Sequence, residues 1–485
     1  MSKDVIKNLK PALLWKYFYE ISQVPRPSKK EEKIREYVID FAQKHSLEFV
    51  EDKVGNIVIK VPASKGFENK PTVVLQGHVD MVCEKNKGTN HDFDNDPLTL
   101  INEDGWIKAK GTTLGADNGI GVAAGMAAAT DPDLQHGPLE ILCTVDEETG
   151  LTGANALKPG FISGKILLNL DSEEDGAFYV GCSGGVDTYG VFELELTKAK
   201  KDHEPFEIMV TGLKGGHSGL DVKAGRANAI KLLAQLLNRM NDVKFSIAQI
   251  SGGSKRNAIP REAEAVILID PKDKAKVQKI VKLFVQDSLL EFNTNDGGLK
   301  ISFTKKKDKV KKVFTKPFSK KIIRTLLALP HGIMAMSADI PDLVETSTNL
   351  ATVTMEDNLL QVGTSQRSSI ESAKENICNS VKAVFKLADA SQILLGDGYP
   401  GWKPNMNSEV LKSSVEVFKK LYSKEPHIKA IHAGLECGIL GDKYPGLDMI
   451  SFGPTIQGAH SPDEKVNIAD VEKFYNLLKG ILKEI

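Results

Sequence analysis

Histidine and acidic residues, the side chains that bind metals and transfer protons, follow apolar segments at several points of the chain. His78 and Asp80 follow the strand-like run 72–75, in Pro71-Thr-Val-Val-Leu-Gln-Gly-His-Val-Asp80. In open α/β sheets the functional residues gather at the carboxyl ends of strands, where an imidazole and a carboxylate can face the same cavity. A hairpin turn whose His and Asp bond only each other is the alternative, and this segment taken alone favours it.

Two further strand-like segments end in carboxylates. Segment 139–145 is followed by Glu147 and Glu148, and segment 165–170 by Asp171. Clustered carboxylates repel one another unless a cation lies among them. If these strands are adjacent and parallel, their ends meet at one edge of the sheet, and we predict a cation site there.

A glycine-rich segment, Gly111-Thr-Thr-Leu-Gly-Ala-Asp117-Asn-Gly-Ile-Gly, adds another carboxylate before a helix rich in Ala and Gly. Such a loop could cradle a phosphate, but the Lys-Ser/Thr pair of a P-loop is missing and Asp117 would repel the phosphate. We interpret Asp117 as the functional residue and the glycines as space for the backbone around it; an N-cap aspartate is the alternative. Near the C-terminus, a strand followed by Gly453-Pro-Thr-Ile-Gln-Gly-Ala-His460 contributes a second imidazole.

Two imidazoles and three carboxylates result from these segments: His78, Asp117, Glu148, Asp171 and His460. This set suits zinc, manganese or cobalt better than calcium, which prefers oxygen ligands. With one bridging carboxylate it would hold two ions roughly 3.5–4 Å apart, as in hydrolytic sites where a bridging water is activated and a carbonyl polarised. Glu147, which is spare beside a ligand, would be the general base. Asp80 would bind the other nitrogen of His78 and fix its tautomer.

The elements that must position these residues form two groups. Helices are predicted over residues 8–22 and from Ser28 onward, where Ser28 and Glu31 form a capping box, and the strands described above follow. Residues 187–395 repeat a strand–helix–strand pattern twice. We predict an α/β fold: a discontinuous domain over 1–186 and 396–485, with a mixed sheet flanked by helices, interrupted by an inserted α+β domain over 187–395 with two repeated halves.

Length and composition restrict the class of protein. The 485 residues exceed a single core, and 41% hydrophobic with 26% charged residues is typical of soluble globular proteins. The net charge of -1 gives little support to nucleic-acid binding. No segment is apolar enough to span a membrane or to act as a signal core. Five scattered cysteines without C-x-x-C spacing favour a reducing, cytoplasmic location.

In chain order, these residues resemble the M20 metallopeptidase family over nearly the full length. The shared motifs are His78-Val-Asp80, Gly-Ala-Asp117-Asn-Gly, Glu147-Glu148, Asp171 and His460. The resemblance implies a zinc-binding α/β domain interrupted by a lid domain. It implies that Asp117 bridges two zinc ions, for which cobalt or manganese could substitute. His78 and Asp171 would complete one site, and Glu148 and His460 the other.

Further motifs are most similar to family members that cleave Xaa-His dipeptides. They are Gly-Gly-His217-Ser-Gly, Arg-Asn257-Ala-Ile-Pro, Ser-Gln-Arg367-Ser-Ser and Gly-Leu-Glu436-Cys-Gly. By this resemblance His217, Asn257 and Arg367 are lid residues that close on the substrate. His217 could donate to the developing oxyanion, Asn257 could bind backbone polar groups, and Arg367 could clamp the terminal carboxylate. Glu436 could bind the free amine of the substrate, with a surface or helix-cap role as the alternative.

The predicted function is metal-dependent hydrolysis of Xaa-His and other unblocked dipeptides by a hydrolase of the metalloprotease class. An aminoacylase or deacylase with the same metal chemistry is an alternative, and the repeated lid halves favour the dipeptidase. A non-catalytic metal-binding protein is a further alternative, against which the intact Glu147 and Asp80 argue. The predicted partners are small dipeptides, neither nucleic acid nor membrane. A homodimer is left open, because the doubled lid could imitate the dimer contacts of shorter relatives within one chain.

Overall fold

The computed structural model describes residues 3–485 and divides the chain into two compact units. The first unit consists of Met1–Gly181, Pro404–Ala430 and Leu435–Ile485, and the second of Cys182–Lys403 and Ile431–Gly434. The predicted boundaries, after residues 186 and 395, lie near these divisions. The sequence did not predict that the short segment Ile431–Gly434 belongs to the second unit. The carbonyls of Ile431 and Ala433 in this segment accept hydrogen bonds from the backbone N–H of Ser183.

Helices and strands alternate in the first part of the chain. Its strands are β1 (Glu48–Glu51), β2 (Ile57–Val61), β3 (Val73–His78), β4 (Leu100–Glu103), β5 (Trp106–Ala109), β6 (Leu139–Thr144), β7 (Ile166–Asn169) and β8 (Ala177–Cys182). Its helices are α1 (Ala12–Ser22), α2 (Glu32–Lys44), α3 (Ala116–Thr130) and the short α4 (Glu147–Gly150) and α5 (Thr152–Ala156).

The second unit is richer in strands. These are β9 (Gly184–Glu193), β10 (Leu196–Lys198), β11 (Glu204–Thr211), β12 (Gly216–His217), β13 (Phe245–Gly252), β14 (Ala258–Ile259), β15 (Ala263–Ile269), β16 (Lys300–Lys305), β17 (Lys312–Phe314), β18 (Gly332–Met336), β19 (Val344–Glu356), β20 (Leu359–Ser368) and β21 (Gln392–Leu395). Its helices are α6 (Ala229–Arg239), α7 (Lys274–Asp296), α8 (Lys316–Ala328) and α9 (Glu371–Leu387).

The last part of the chain completes the first unit. It contains β22 (His427–Ile431), β23 (Asp448–Ser451), β24 (Ile456–Gln457), β25 (Lys465–Asn467), α10 (Glu409–Tyr422), α11 (Glu436–Lys443) and α12 (Ile468–Glu484). Within residues 3–485, no helix combines the length and the apolar character that crossing a bilayer requires.

The main sheet of the first unit has the order β1-β2-β6-β3-β7-β23-β8-β22. β6, β3, β7 and β23 are parallel neighbours, and His78 is in register with Thr144 while Gln76 is in register with Asn169. The prediction that the three acidic strand ends lie side by side is therefore confirmed. Every residue of β3 and β6 is buried, as is typical of parallel strands covered on both faces. Burying an apolar side chain such as Leu75 contributes about 1.5–3 kcal/mol.

The large sheet of the second unit has the order β16-β11-β15-β13-β19-β20-β9-β21, with β18 paired to β19. It consists of two β-α-β-β-α-β motifs with the same spatial strand order, β11-α6-β13-β15-α7-β16 and β9-α8-β19-β20-α9-β21. The two motifs meet where β13 pairs with β19. The sequence predicted two successive halves, but the first motif is inserted between the first strand and the first helix of the second. β9 pairs with β20 and β21, which are distant in sequence, so chain order alone did not reveal this nesting.

Candidate metal centre

His78 and Asp80 lie at the end of β3, both almost fully buried. Asp80 Oδ1 is 3.2 Å from His78 Nδ1, so the imidazole presents Nε2 to the other acidic residues. The same carboxylate accepts hydrogen bonds from the backbone N–H of Glu147 at 3.1 Å and of Glu148 at 3.2 Å. Asp80 thus orients the histidine and also holds the turn that carries the two glutamates. Burial opposes its ionisation, but the hydrogen bonds from His78 and Ser28 lower the pKa of Asp80 to about 2.

The predicted capping box at Ser28 is wrong. α2 begins at Glu32, and Glu31 accepts a hydrogen bond from the backbone N–H of Lys29 at 2.8 Å. Ser28 Oγ instead donates to Asp80 Oδ2 at 2.8 Å. A capping-box sequence is satisfied by local contacts, whereas the partner of Ser28 is distant in the chain.

Asp117 lies in the first turn of α3, where its own backbone and that of Asn118 depart from helical geometry. Its Oδ1 is 3.0 Å from His78 Nε2, and its Oδ2 is 3.2 Å from His460 Nε2. Gly115 precedes the first turn of α3, and the helix is interrupted at Asp117, whose carboxylate faces the two histidines. Gly115 has φ +65°, and a Cβ there would lie 2.3 Å from an Arg26 nitrogen, which explains why this position is glycine.

The remaining predicted ligands complete two groups around Asp117. Asp171 Oδ1 lies 3.4 Å from His78 Nε2, and Glu148 Oε2 lies 3.0 Å from His460 Nε2. His460 has a left-handed backbone, with φ +62°, which is uncommon for a residue other than glycine. The ligand atoms of His78, Asp117 and Asp171 lie within 4.8 Å of one another, as do those of Asp117, Glu148 and His460. The structure therefore brings all five predicted ligands together, with Asp117 in both groups.

The donor set fits two divalent cations of the zinc type, since each group combines one imidazole with two carboxylates. Glu148 Oε1 is buried and accepts no hydrogen bond among the described residues; Asp171 Oδ1 is buried too and has only the 3.4 Å approach of His78 Nε2. Buried carboxylate oxygens normally have a partner, and a cation would supply it.

The surrounding carboxylates favour the protonated form of both histidines. Burial opposes protonation of His78, but neighbouring carboxylates, Asp171 first, raise its pKa well above the ordinary value. Hydrogen bonds to Asp117 and Glu148 raise the pKa of His460 to about 11. Surroundings that favour a proton on an imidazole also favour a metal cation there, and the two would compete for the ring nitrogens.

Glu147 lies beside the ligands on the one-turn helix α4. Its carboxylate belongs to a group with His78 and Glu148 whose atoms lie within 4.8 Å of one another. β6 ends at Thr144, one residue before the predicted end, and Asp80 accepts the backbone N–H groups of both glutamates in the turn that follows. Burial raises the pKa of Glu147 well above its ordinary value. A proton-accepting role is compatible with this position.

A further buried acidic group, Glu31, Asp80 and Asp146, is occupied by hydrogen bonds. Glu31 Oε1 accepts the backbone N–H of Asp146 at 3.0 Å, and the carboxylate of Asp146 accepts the hydroxyls of Thr149 and Thr152. These contacts explain the group without a cation.

His217, Asn257 and Arg367 lie around Ser218 in the second unit. The backbone N–H of Ser218 donates to the Asn257 carbonyl at 2.8 Å, and Arg367 Nε donates to Ser218 Oγ at 3.4 Å. Arg367 is buried and also donates to the Tyr399 hydroxyl at 2.7 Å. No carboxylate in the described part of the chain forms an ion pair with Arg367. The structure thus places all three predicted residues next to Ser218. The Arg367 guanidinium has no anionic partner within residues 3–485.

The tautomer of His217 follows from its neighbours. Nδ1 accepts the backbone N–H of Gly219 at 3.2 Å and of Leu220 at 3.0 Å, so the ring proton is on Nε2. Burial and the charge of Arg367 lower the pKa of His217 to about 4. At neutral pH the ring is therefore an uncharged donor through Nε2.

Glu436 lies in the interior of the first unit with 0% exposure. Its Oε2 accepts hydrogen bonds from Gln76 Nε2 and, at 2.7 Å, from Thr144 Oγ1. Burial raises its pKa to about 7. The surface alternative is therefore wrong, whereas the amine-binding role stays a prediction, since the buried Oε1 of Glu436 has no hydrogen-bond partner within residues 3–485.

Two buried charged residues beside the centre were missed by the sequence analysis. Arg26 donates to the carbonyls of Val79, Asp80 and Gly115, and Glu464 accepts backbone N–H groups of the segment that carries Asp117. The only signal for Glu464 was its position four residues after His460.

Comparisons with known proteins identify the family and the fold of the chain. The sequence model of peptidase family M20/M25/M40 matches residues 74–484. The chain is 41% identical to cytosol non-specific dipeptidase from Escherichia coli strain K12, over 99% of both chains. The crystal structure of aminoacylhistidine dipeptidase from Vibrio alginolyticus superposes with a TM-score of 0.91 and 39% identity, covering 99% of this chain and 98% of that one. Aminopeptidase PepT from Bacillus cereus shares the fold. Its structure superposes with a TM-score of 0.57 and 17% identity, covering 98% of this chain and 99% of that one.

Proposed function

The chain belongs to peptidase family M20/M25/M40, and from this membership we propose that it is a dipeptidase that uses two zinc ions to hydrolyse unblocked dipeptides, Xaa-His dipeptides among them. The predicted family and fold class are confirmed by the full-length similarity. The observation that carries the proposal is the pair of three-ligand groups that share Asp117. Glu147 lies beside these groups without belonging to either, so its carboxylate could accept the proton of the attacking water in a hydrolysis.

Each proposed residue has a defined chemical part. His78, Asp117 and Asp171 would hold one ion, and Asp117, Glu148 and His460 the other. When bound, such ions lower the pKa of a water molecule and polarise the scissile carbonyl. Glu147 takes the proton of the attacking water and passes it to the leaving amine. Asp80 keeps Nε2 of His78 directed at the ligand group.

Residues of the second unit are proposed to bind the substrate. His217 donates through Nε2–H to the carbonyl oxygen that gains negative charge, which the tautomer described above supports. Arg367 binds the terminal carboxylate, for which its lack of an anionic partner within residues 3–485 is the support. Asn257, whose side chain is exposed beside His217, binds backbone polar groups. We accordingly assign the metal chemistry to the first unit and substrate binding to the second.

The cytoplasm is the proposed location. No disulfide joins any of the five cysteines within residues 3–485, which suits a reducing compartment. The E. coli relative is named as a cytosol enzyme, which agrees with this location. Small dipeptides are the proposed partners.

Metal analysis with a substrate panel tests the proposal. We expect two equivalents of zinc, hydrolysis of unblocked dipeptides, loss of activity on chelation and recovery when zinc is returned. The panel contains Xaa-His dipeptides, dipeptides without histidine, their N-acetyl derivatives and N-acyl amino acids. Cleavage of the acylated substrates alone would identify a deacylase, and stoichiometric zinc without any hydrolysis would identify a binding protein.

Replacing Arg367 with lysine should raise KM for dipeptides about 10- to 100-fold, with metal content unchanged. Lysine keeps the charge but loses the planar fork that binds a carboxylate through two hydrogen bonds. The sharper measurement compares each dipeptide with its C-terminal amide. Wild type should prefer the free acid, and Arg367→Lys should lose most of that preference. Arg261→Lys, an exposed arginine of the same unit, is the control; an undiminished preference in Arg367→Lys contradicts the clamp.

A further inference from the structure

The carboxylate of Glu464 is bound entirely by backbone of the segment that leads into α3. Its Oε2 accepts the N–H groups of Leu114 at 2.7 Å and Gly115 at 2.8 Å, and its Oε1 those of Ala116 at 2.7 Å and Asp117 at 3.3 Å. Glu464 is 2% exposed. The N–H groups at the start of a helix lack partners within the helix, and an anion there is favourable.

Asp117 depends on this backbone for its direction. The helix is interrupted at Asp117, with ψ 110°, and at Asn118, with φ -108°, so regular helical geometry does not fix where the carboxylate points. Its two oxygens face His78 and His460, on opposite sides. A small rotation of the Asp117 backbone would therefore move the carboxylate out of one ligand group or the other.

Glu464 also anchors the segment that carries His460. His460 lies four residues earlier, within a turn in which Ser461 N–H donates to Gly458 O at 3.2 Å. A second turn follows at once, in which Glu464 N–H donates to Ser461 O at 3.0 Å. One carboxylate therefore ties two proposed ligands, Asp117 and His460, whose side chains are 3.2 Å apart.

Arg26 holds the other side of the same segment. Its guanidinium donates to the Gly115 carbonyl and to the carbonyls of Val79 at 3.0 Å and Asp80 at 2.7 Å. The Asp117 segment is thereby fastened to the end of β3, where His78 lies. Arg26 binds the carbonyl of Gly115 and Glu464 binds its N–H group, so the backbone of this segment is held by both side chains.

We propose that Glu464 is a positioning residue that sets the affinity of the centre for metal by fixing Asp117 relative to His460. It does not contact the ions or the substrate. The inference rests on the proposed function for the existence of the metal centre. Loss of a residue that orients metal ligands typically weakens metal binding about 10- to 100-fold.

The test is metal affinity of Glu464→Gln, measured by titrating zinc into the metal-free full-length protein against a chromophoric chelator. Glutamine keeps the size, but its NH2 group cannot accept the backbone N–H groups that one carboxylate oxygen accepts. We expect metal binding about 10- to 100-fold weaker than in wild type. The readout is independent of hydrolysis.

Glu140→Gln is the matched control. Glu140 is also buried, at 4% exposure, and accepts the backbone N–H groups of Ser163 at 2.8 Å and Gly164 at 3.0 Å. It lies near the start of β6, at the end of the strand opposite to the metal ligands. Both variants should lose thermal stability in the metal-free form, but only Glu464→Gln should lose metal affinity.

Wild-type affinity in Glu464→Gln would show that Glu464 is only a helix cap and would overturn the inference. If Glu464→Gln does not fold, Glu464→Asp replaces it; its charge is set back by one methylene, and affinity equal to wild type again overturns the inference. A wild-type protein that binds no zinc contradicts the proposed function, and the inference with it. Normal wild-type binding with an unchanged variant contradicts the inference alone.

Discussion

Replacing Asp117 with alanine is expected to remove both metal ions and to lower dipeptide turnover by at least about 10³-fold. Asp117 belongs to both groups of ligand atoms, with one oxygen towards His78 and the other towards His460. Its loss leaves each proposed ion with two protein ligands. Zinc content after dialysis and turnover are measured on the same sample.

Two comparisons make this result specific. Asp133→Ala changes an exposed carboxylate just beyond the other end of α3 and should keep wild-type zinc and turnover. Asp171→Ala removes a ligand of one group only, so it should weaken one ion and leave the other group complete. Full turnover at normal zinc content in Asp117→Ala would rule out a shared carboxylate.

The sequence predicted the strand ends of the centre because chemistry and burial coincide there. The sequences of β3 and β6 are short apolar runs, and each is followed by acidic residues. Carboxylates at neighbouring strand ends repel one another unless a cation lies among them. Adjacent parallel strands were the condition under which those residues would meet, and the structure fulfils it; the order β6-β3-β7 was not predicted. This is an argument from charge, and it worked without any knowledge of the loops between the strands.

The organisation of the second unit was harder to predict. Alternation of helices and strands revealed two repeated motifs, but not that one is inserted into the other. Strand pairing such as that of β9 with β20 depends on edge and face contacts between segments far apart in sequence. Local periodicity contains no information about those contacts.

The residues missed by the sequence analysis are buried charges whose partners are backbone groups. Arg26 and Glu464 bind carbonyl and N–H groups, which every residue type provides, so no motif marks them. For Glu436 the surface alternative is wrong, because its side chain is buried and accepts hydrogen bonds from Gln76 and Thr144. Exposure, unlike residue type, depends on the complete fold.

Replacing Glu147 with glutamine is expected to lower turnover by at least about 10²-fold while zinc content and dipeptide binding stay near wild type. Glutamine keeps the size of the side chain and removes the group that accepts the proton of water. Burial raises the pKa of Glu147, and the positive charge of bound ions acts in the opposite direction, so the carboxylate is ionised when the centre is loaded. Wild-type activity should fall as pH drops through the pKa of this group, and the residual activity of the variant should lack that dependence.

Glu148→Gln is the matched comparison, since the same chemical change falls on the adjacent residue of the same turn. Glu148 Oε2 lies 3.0 Å from His460 Nε2 in the second ligand group, so this variant should lose zinc as well as turnover. Glu147→Asp should keep part of the activity, because a carboxylate is present but set back by one methylene. Turnover and zinc must be counted in one sample. Near-normal rates at full zinc in Glu147→Gln would end the general-base role, whereas zinc loss in that variant would make Glu147 a ligand.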